Sequence, residues 1–67
     1  MTGIGSVLGK WWIRSESDPR WNREGRGEVG GLYLRPPAVD RTIKKLSKTL
    51  GDQPDDLEWG YTCDEAQ

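Results

Sequence analysis

The sequence has no histidine and no phenylalanine, and only one cysteine, Cys63, and one methionine, Met1, among its 67 residues. Without His there is no imidazole to act as a base near neutral pH. The usual zinc finger is excluded as well, because a lone thiol cannot hold a structural metal. Ser15, Ser17 and Cys63 have no histidine to activate them, so the nucleophile–base pair of a hydrolase lacks its base. No catalytic residues, metal ligands or cofactor are therefore expected, and the chain reads as a non-enzyme. A single cysteine also rules out the internal disulfides that staple small secreted domains. No apolar run approaches the roughly 18 residues of a membrane span, and the first eight residues are too short and glycine-rich for a leader peptide. The expected setting is cytoplasmic, with no membrane partner.

What remains must build a thin core. A chain of this length is expected to form one domain, residues 1–67, and to hide only about 60 % of the surface its unfolded form exposes. With burial contributing roughly 25 cal/mol per Å², each large side chain matters to stability. The main apolar material is four tryptophans, Trp11, Trp12, Trp21 and Trp59, together with Tyr33, Tyr61 and the Val, Ile and Leu residues. Such a composition suits two layers.

Residues 1–9 hold Gly3, Gly5 and Gly9 among small side chains and predict a flexible start. Residues 10–15, K-W-W-I-R-S, are aromatic and β-branched; they predict a strand with Trp11 and Ile13 on one face and Trp12 and Arg14 on the other. Asp18-Pro19, Asn22, Gly25 and Gly27 then punctuate residues 15–27, which read as a long loop. Residues 28–34 return to strand composition, with a bulge or a close backbone approach expected at Gly30-Gly31 and antiparallel pairing to the first strand. Pro36-Pro37 opens a helix over about 37–50, whose Val39, Ile43, Leu46 and Leu50 share one stripe and whose stop is Gly51. Finally Leu57, Trp59, Tyr61 and Cys63 alternate with Glu58, Gly60 and Thr62, a strand with one apolar face. The order β-β-α-β predicts an α+β domain: a three-stranded, mainly antiparallel sheet with one helix packed on one face.

Charge is segregated although it nearly cancels. Residues 1–50 carry ten Lys or Arg against five acids, and residues 51–67 carry six acids and no base. This can be complementarity across one surface, or a basic face for an anionic partner. Five of the six arginines, Arg14, Arg20, Arg23, Arg26 and Arg35, lie on the first two predicted strands and their connection, interleaved with Trp12, Trp21 and Tyr33. The densest segment is S-D-P-R-W-N, residues 17–22. Read for binding, Arg20 pairs with a phosphate or carboxylate, Trp21 stacks on a planar group and Asn22 hydrogen-bonds a ligand edge. Read for structure, Asp18 caps the turn and Trp21 plugs the core while Arg20 answers an acid on the last strand. Gly25-Arg26-Gly27 and Gly30-Gly31 lack any phosphate-binding fingerprint and read as turn glycines. The acids Asp55, Asp56, Glu58, Asp64 and Glu65 have no calcium-loop spacing and read as solubilising. An isoelectric point near 5.3, with Glu16, Glu24 and Glu28 among the arginines, speaks against binding of duplex nucleic acid.

A tryptophan-bearing first strand followed by S-D-P-R-W-N, then P-P before the helix and P-D-D-L-E-W-G-Y near the end, resembles short proteins encoded in bacteriophage genomes, over about residues 11–62. That resemblance implies a host-cytoplasmic setting and a binding role, directed in some such proteins against host defence, with Arg20, Trp21 and Asn22 as the positions carried over. The expected function is thus a small non-catalytic binding protein that captures a host protein or a small anionic, nucleotide-like ligand through Arg14, Arg20, Trp21, Asn22 and Arg26. The alternatives are a single-stranded nucleic-acid-binding accessory protein using stacked indoles, and a hydrolase of a nucleotide signal. The thin core adds the expectation of a homodimer sharing tryptophans, with the face of Trp12 as its interface.

Overall fold

A computed structural model describes residues 7–31 and 34–64. Strand β1, Val7–Arg14, is followed by a single 3₁₀ turn, Pro19–Trp21, then strand β2, Arg23–Val29, helix α1, Pro37–Leu50, and strand β3, Glu58–Cys63. The three strands form an antiparallel sheet in the order β2-β1-β3, with the helix against it. The α+β class and the β-β-α-β order expected from the sequence are both present. No helix among the described residues is long and apolar enough to cross a membrane.

The first strand fulfils its predicted alternation. Gly9, Trp11, Ile13 and Ser15 point into the molecule, and Leu8, Lys10 and Arg14 point out with Trp12 half-buried. It also begins earlier than expected: Val7, Leu8 and Gly9, assigned above to a flexible start, pair with Val29, Glu28 and Gly27, while residues 1–6 lie outside the described part.

The second strand departs more. It covers Arg23–Val29, five residues ahead of the predicted 28–34, so the last five residues of the expected loop are strand. The reason is the Trp11 indole. A Cβ built on Gly25 would fall 2.6 Å from Trp11 Cζ2, so at this point the central strand supplies the apolar bulk on that face and β2 contributes backbone alone, adding a core side chain only at its end, Val29. Glu24, Arg26 and Glu28 occupy the other face. A strand of charge and glycine bears no hydrophobic alternation, which is why its sequence reads as loop. Its end is also set by glycine: Gly30 and Gly31 adopt φ 65° and 63°, left-handed values that turn the chain away rather than bulge it. Leu34, expected in the strand, stands almost fully exposed beyond this turn, whereas Leu32 and Tyr33 lie outside the described residues.

The helix spans the predicted residues, with Pro37 in its first turn and Gly51 at its end. Arg35 pairs with Asp40 of the first turn at 2.5 Å. Val39 and Leu46 are buried, and Ile43 and Leu50 pack half-buried against them, as the stripe requires. The core comprises Trp11, Ile13, Trp21, Val29, Val39 and Leu46, fringed by Ala38, Leu57 and Tyr61. Trp21 is wholly buried. A second indole repeats the device of the first on the open face of the sheet: a Cβ on Gly60 of β3 would lie 2.2 Å from Trp12 Cζ2. The central strand therefore lays one tryptophan over each flanking strand, on opposite faces.

Candidate functional site

The segment richest in chemical groups turns out to be engaged in folding. Asp18 caps the 3₁₀ turn through Arg20 N (3.3 Å), and the Arg20 guanidinium grips the same carboxylate with Nε and Nη2, each at 2.8 Å. This fork holds the Asp18 carboxyl below, and the Arg20 guanidinium above, its ordinary pKa. The partner of Arg20 is thus two residues away, not an acid of the last strand. Asn22 Oδ1 accepts the backbone N–H of Ser15 at 2.9 Å and closes the loop. Trp21 is wholly buried and cannot stack on a ligand, which corrects the binding reading of that residue. Its indole N–H contributes slightly to lowering the Asp18 pKa but falls short of a well-formed hydrogen bond. Arg23, on the surface, donates through Nη1 to Arg20 O (2.8 Å) and Asn22 O (2.7 Å).

A residue read as merely solubilising anchors this loop. Asp56, in the turn before β3, accepts from Ser15 Oγ (2.6 Å), Ser17 Oγ (2.9 Å), Ser17 N (2.9 Å) and Glu16 N (3.0 Å). Ser15 Oγ accepts in turn from Asp18 N at 3.0 Å. Hydrogen bonding to the charged form, first from Ser15 and then from Ser17, lowers the Asp56 pKa from 3.8 to about 2. The contact joins positions 39 to 41 apart in the chain, and nothing in the local spacing of either segment announces it. Asp64 is likewise engaged, paired with Arg26 across the open face.

Of the five predicted site residues, only Arg14 and Asn22 share a cleft. Trp21 is in the core; Arg20 and Arg26 are ion-paired; Asn22 holds the loop; Arg14 alone lacks a carboxylate partner among the described residues. Its guanidinium lies 4.4 Å from the centroid of the Trp12 ring, a cation–π stack on the open face of the sheet. Along the same face toward the start of β1 lie the Lys10–Glu24 pair at 3.4 Å, the Arg26–Asp64 pair and Leu8, 63 % exposed. At the end of β1 the face runs into a cleft of about 570 Å³ lined by Arg14, Ser15, Glu16, Pro19, Asn22, Asp56 and Glu58. Three carboxylates there oppose a single guanidinium, and the potential is unfavourable for an anion.

The pairing of Ser15 with Asp56 superficially resembles a nucleophile and its base. Ser15 is only 4 % exposed, and a carboxylate with four donors and a pKa near 2 has little affinity for a proton. The geometry suits a structural clasp.

The surface thus offers a stacked indole and guanidinium with ion pairs to one side and a carboxylate-lined cleft to the other, an arrangement suited to contact with another macromolecular surface. No protein-family model, curated protein or solved structure matches this chain, and the site is read from its own residues.

Proposed function

We propose that this protein is a small non-catalytic binding module, of the phage type its sequence resembles, that captures a host protein in the cytoplasm through the open face of its sheet. The observation that carries this reading is the Arg14–Trp12 stack at 4.4 Å. Arg and Trp are the residue types most enriched at the energetic centres of protein interfaces, and here the neighbouring Lys10–Glu24 and Arg26–Asp64 charges on the same face are already paired within the chain. The anionic-ligand form of the expectation is less well supported, since Arg20 and Arg26 are paired and the adjoining cleft is lined by Glu16, Asp56 and Glu58.

The test is affinity co-purification from host cytoplasm with wild-type protein and with Arg14→Glu, a substitution at an exposed position, followed by mass spectrometry of proteins and small molecules. The reading expects a protein retained by wild type and lost by R14E, with unchanged circular dichroism. A small anion recovered in place of a protein, or a protein retained equally by R14E, would contradict it. The nucleic-acid alternative is separated by salt: single-strand binding weakens steeply as ionic strength rises, and contact through Trp12 and Leu8 far less.

A further inference from the structure

The two edges of the sheet are built differently. β2, on one side, carries Arg23, Glu24, Arg26 and Glu28 within its seven residues, the usual protection of an exposed edge. β3, E-W-G-Y-T-C, carries only Glu58. The polarity of its backbone follows from a single bond: Asp64 N donates to Leu8 O of β1 at 2.9 Å. In an antiparallel ladder successive residues turn their N–H and C=O to opposite sides. With the observed register, the groups of Glu58, Gly60 and Thr62 therefore face β1, and those of Trp59, Tyr61 and Cys63 face outward. No strand among the described residues pairs with that outer side. Trp59 is 37 % exposed and stacks beside Tyr61, with ring centroids 6.5 Å apart and planes at 14°.

We infer that β3 is a dimerisation edge, and that two copies of the chain pair through it about a two-fold axis at Gly60 to give one six-stranded sheet. This does not rest on what the open face binds. The choice of a second copy over an unrelated extended peptide comes from self-complementarity. Centred on Gly60, the pairing sets Trp59 opposite the partner's Tyr61 and Tyr61 opposite the partner's Trp59. Both are hydrogen-bonding pairs, and they join four aromatic rings on the helix side. Centring on Tyr61 or on Trp59 would break this match, pairing Trp59 with Cys63 or with itself. Charges agree as well. Glu58 falls opposite the partner's Thr62, and Thr62 stands beside Lys10 in its own sheet, so each carboxylate comes within two strand spacings, about 10 Å, of the other copy's ammonium. The two Glu58 residues lie four positions apart along the strands, about 13 Å. On the open face each Trp12 already covers its own Gly60, and the axis brings the two indoles side by side. The interface is thus the sheet edge, at right angles to the Trp12 face that the sequence suggested.

Sedimentation velocity over a concentration series, with amide hydrogen exchange read by NMR at its two ends, tests the inference. The expected result is a species of twice the monomer mass at high concentration, in which the Trp59 and Tyr61 amides, which pair with no described strand in the monomer, exchange slowly. Trp59→Lys places a charge on the edge outside the buried core and should raise the dissociation constant roughly tenfold, with an unchanged circular dichroism spectrum. Monomeric behaviour at every concentration would overturn the inference. So would a dimer whose Trp59 and Tyr61 amides exchange as in the monomer, or one that W59K leaves intact.

Discussion

Asp56 does at the scale of one side chain what a disulfide does in other small domains: it ties the loop after β1 to the turn before β3. Four donors converge on its carboxylate, so Asp56→Asn, which replaces one acceptor oxygen by a donor, should lower the melting temperature more than Asp55→Asn. Differential scanning calorimetry of the two variants checks this. The pH dependence follows from the lowered pKa. A carboxylate that binds its proton more weakly when folded stabilises fully above its ordinary value of 3.8, and that stabilisation is lost as pH falls through about 2. Melts of wild type should therefore decline between about pH 4 and pH 2, and D56N should show a shallower decline there. Two neighbouring glycines give a second residue-scale contrast. Gly25→Ala drives a methyl into the Trp11 ring, 2.6 Å away, whereas Gly27→Ala meets nothing within 4 Å. Urea denaturation should show G25A destabilised by about 1–3 kcal/mol and G27A within about 1 kcal/mol of wild type.

Among the elements, legibility followed how locally each is determined. Helix α1 was readable to the residue because proline, an apolar stripe and glycine mark its start, face and stop within the segment itself. β3 and the faces of β1 were readable by their period of two. β2 was not, since its apolar partner sits on another strand: Trp11 supplies the volume and Gly25 merely admits it. The partners of the loop residues were illegible for a related reason. Arg20, Trp21 and Asn22 look like recognition chemistry in sequence, but Asp18, the core and Ser15 claim them, and only the last two of these partnerships require the fold. The 3₁₀ turn thus exists to insert Trp21. Truncating a side chain this large and wholly buried is expected to remove about 3–5 kcal/mol, comparable to the whole stability of a domain this small, so Trp21→Ala should be largely unfolded at 25 °C by circular dichroism.

At the scale of the molecule, four of the ten basic side chains meet a carboxylate among the described residues, and only one of these pairs, Arg26–Asp64, joins the basic stretch 1–50 to the acidic stretch 51–67. Arg20 meets Asp18, Arg26 meets Asp64, Lys10 meets Glu24 and Arg35 meets Asp40. These pairs are exposed, and each contributes little to stability; two of them, Lys10–Glu24 and Arg26–Asp64, lie on the open face, where Arg14 stacks on Trp12 without an ion pair among the described residues. Replacement of that guanidinium by a carboxylate should weaken a partner by about 2 kcal/mol or more, roughly thirtyfold in Kd, while the loop arginine should matter little to binding. The measurement that tests this most directly is titration calorimetry of the co-purified partner against folded Arg14→Glu and folded Arg20→Ala in parallel. The account predicts that R14E loses the partner and R20A binds it nearly as wild type does; binding kept by R14E and lost by R20A would contradict it.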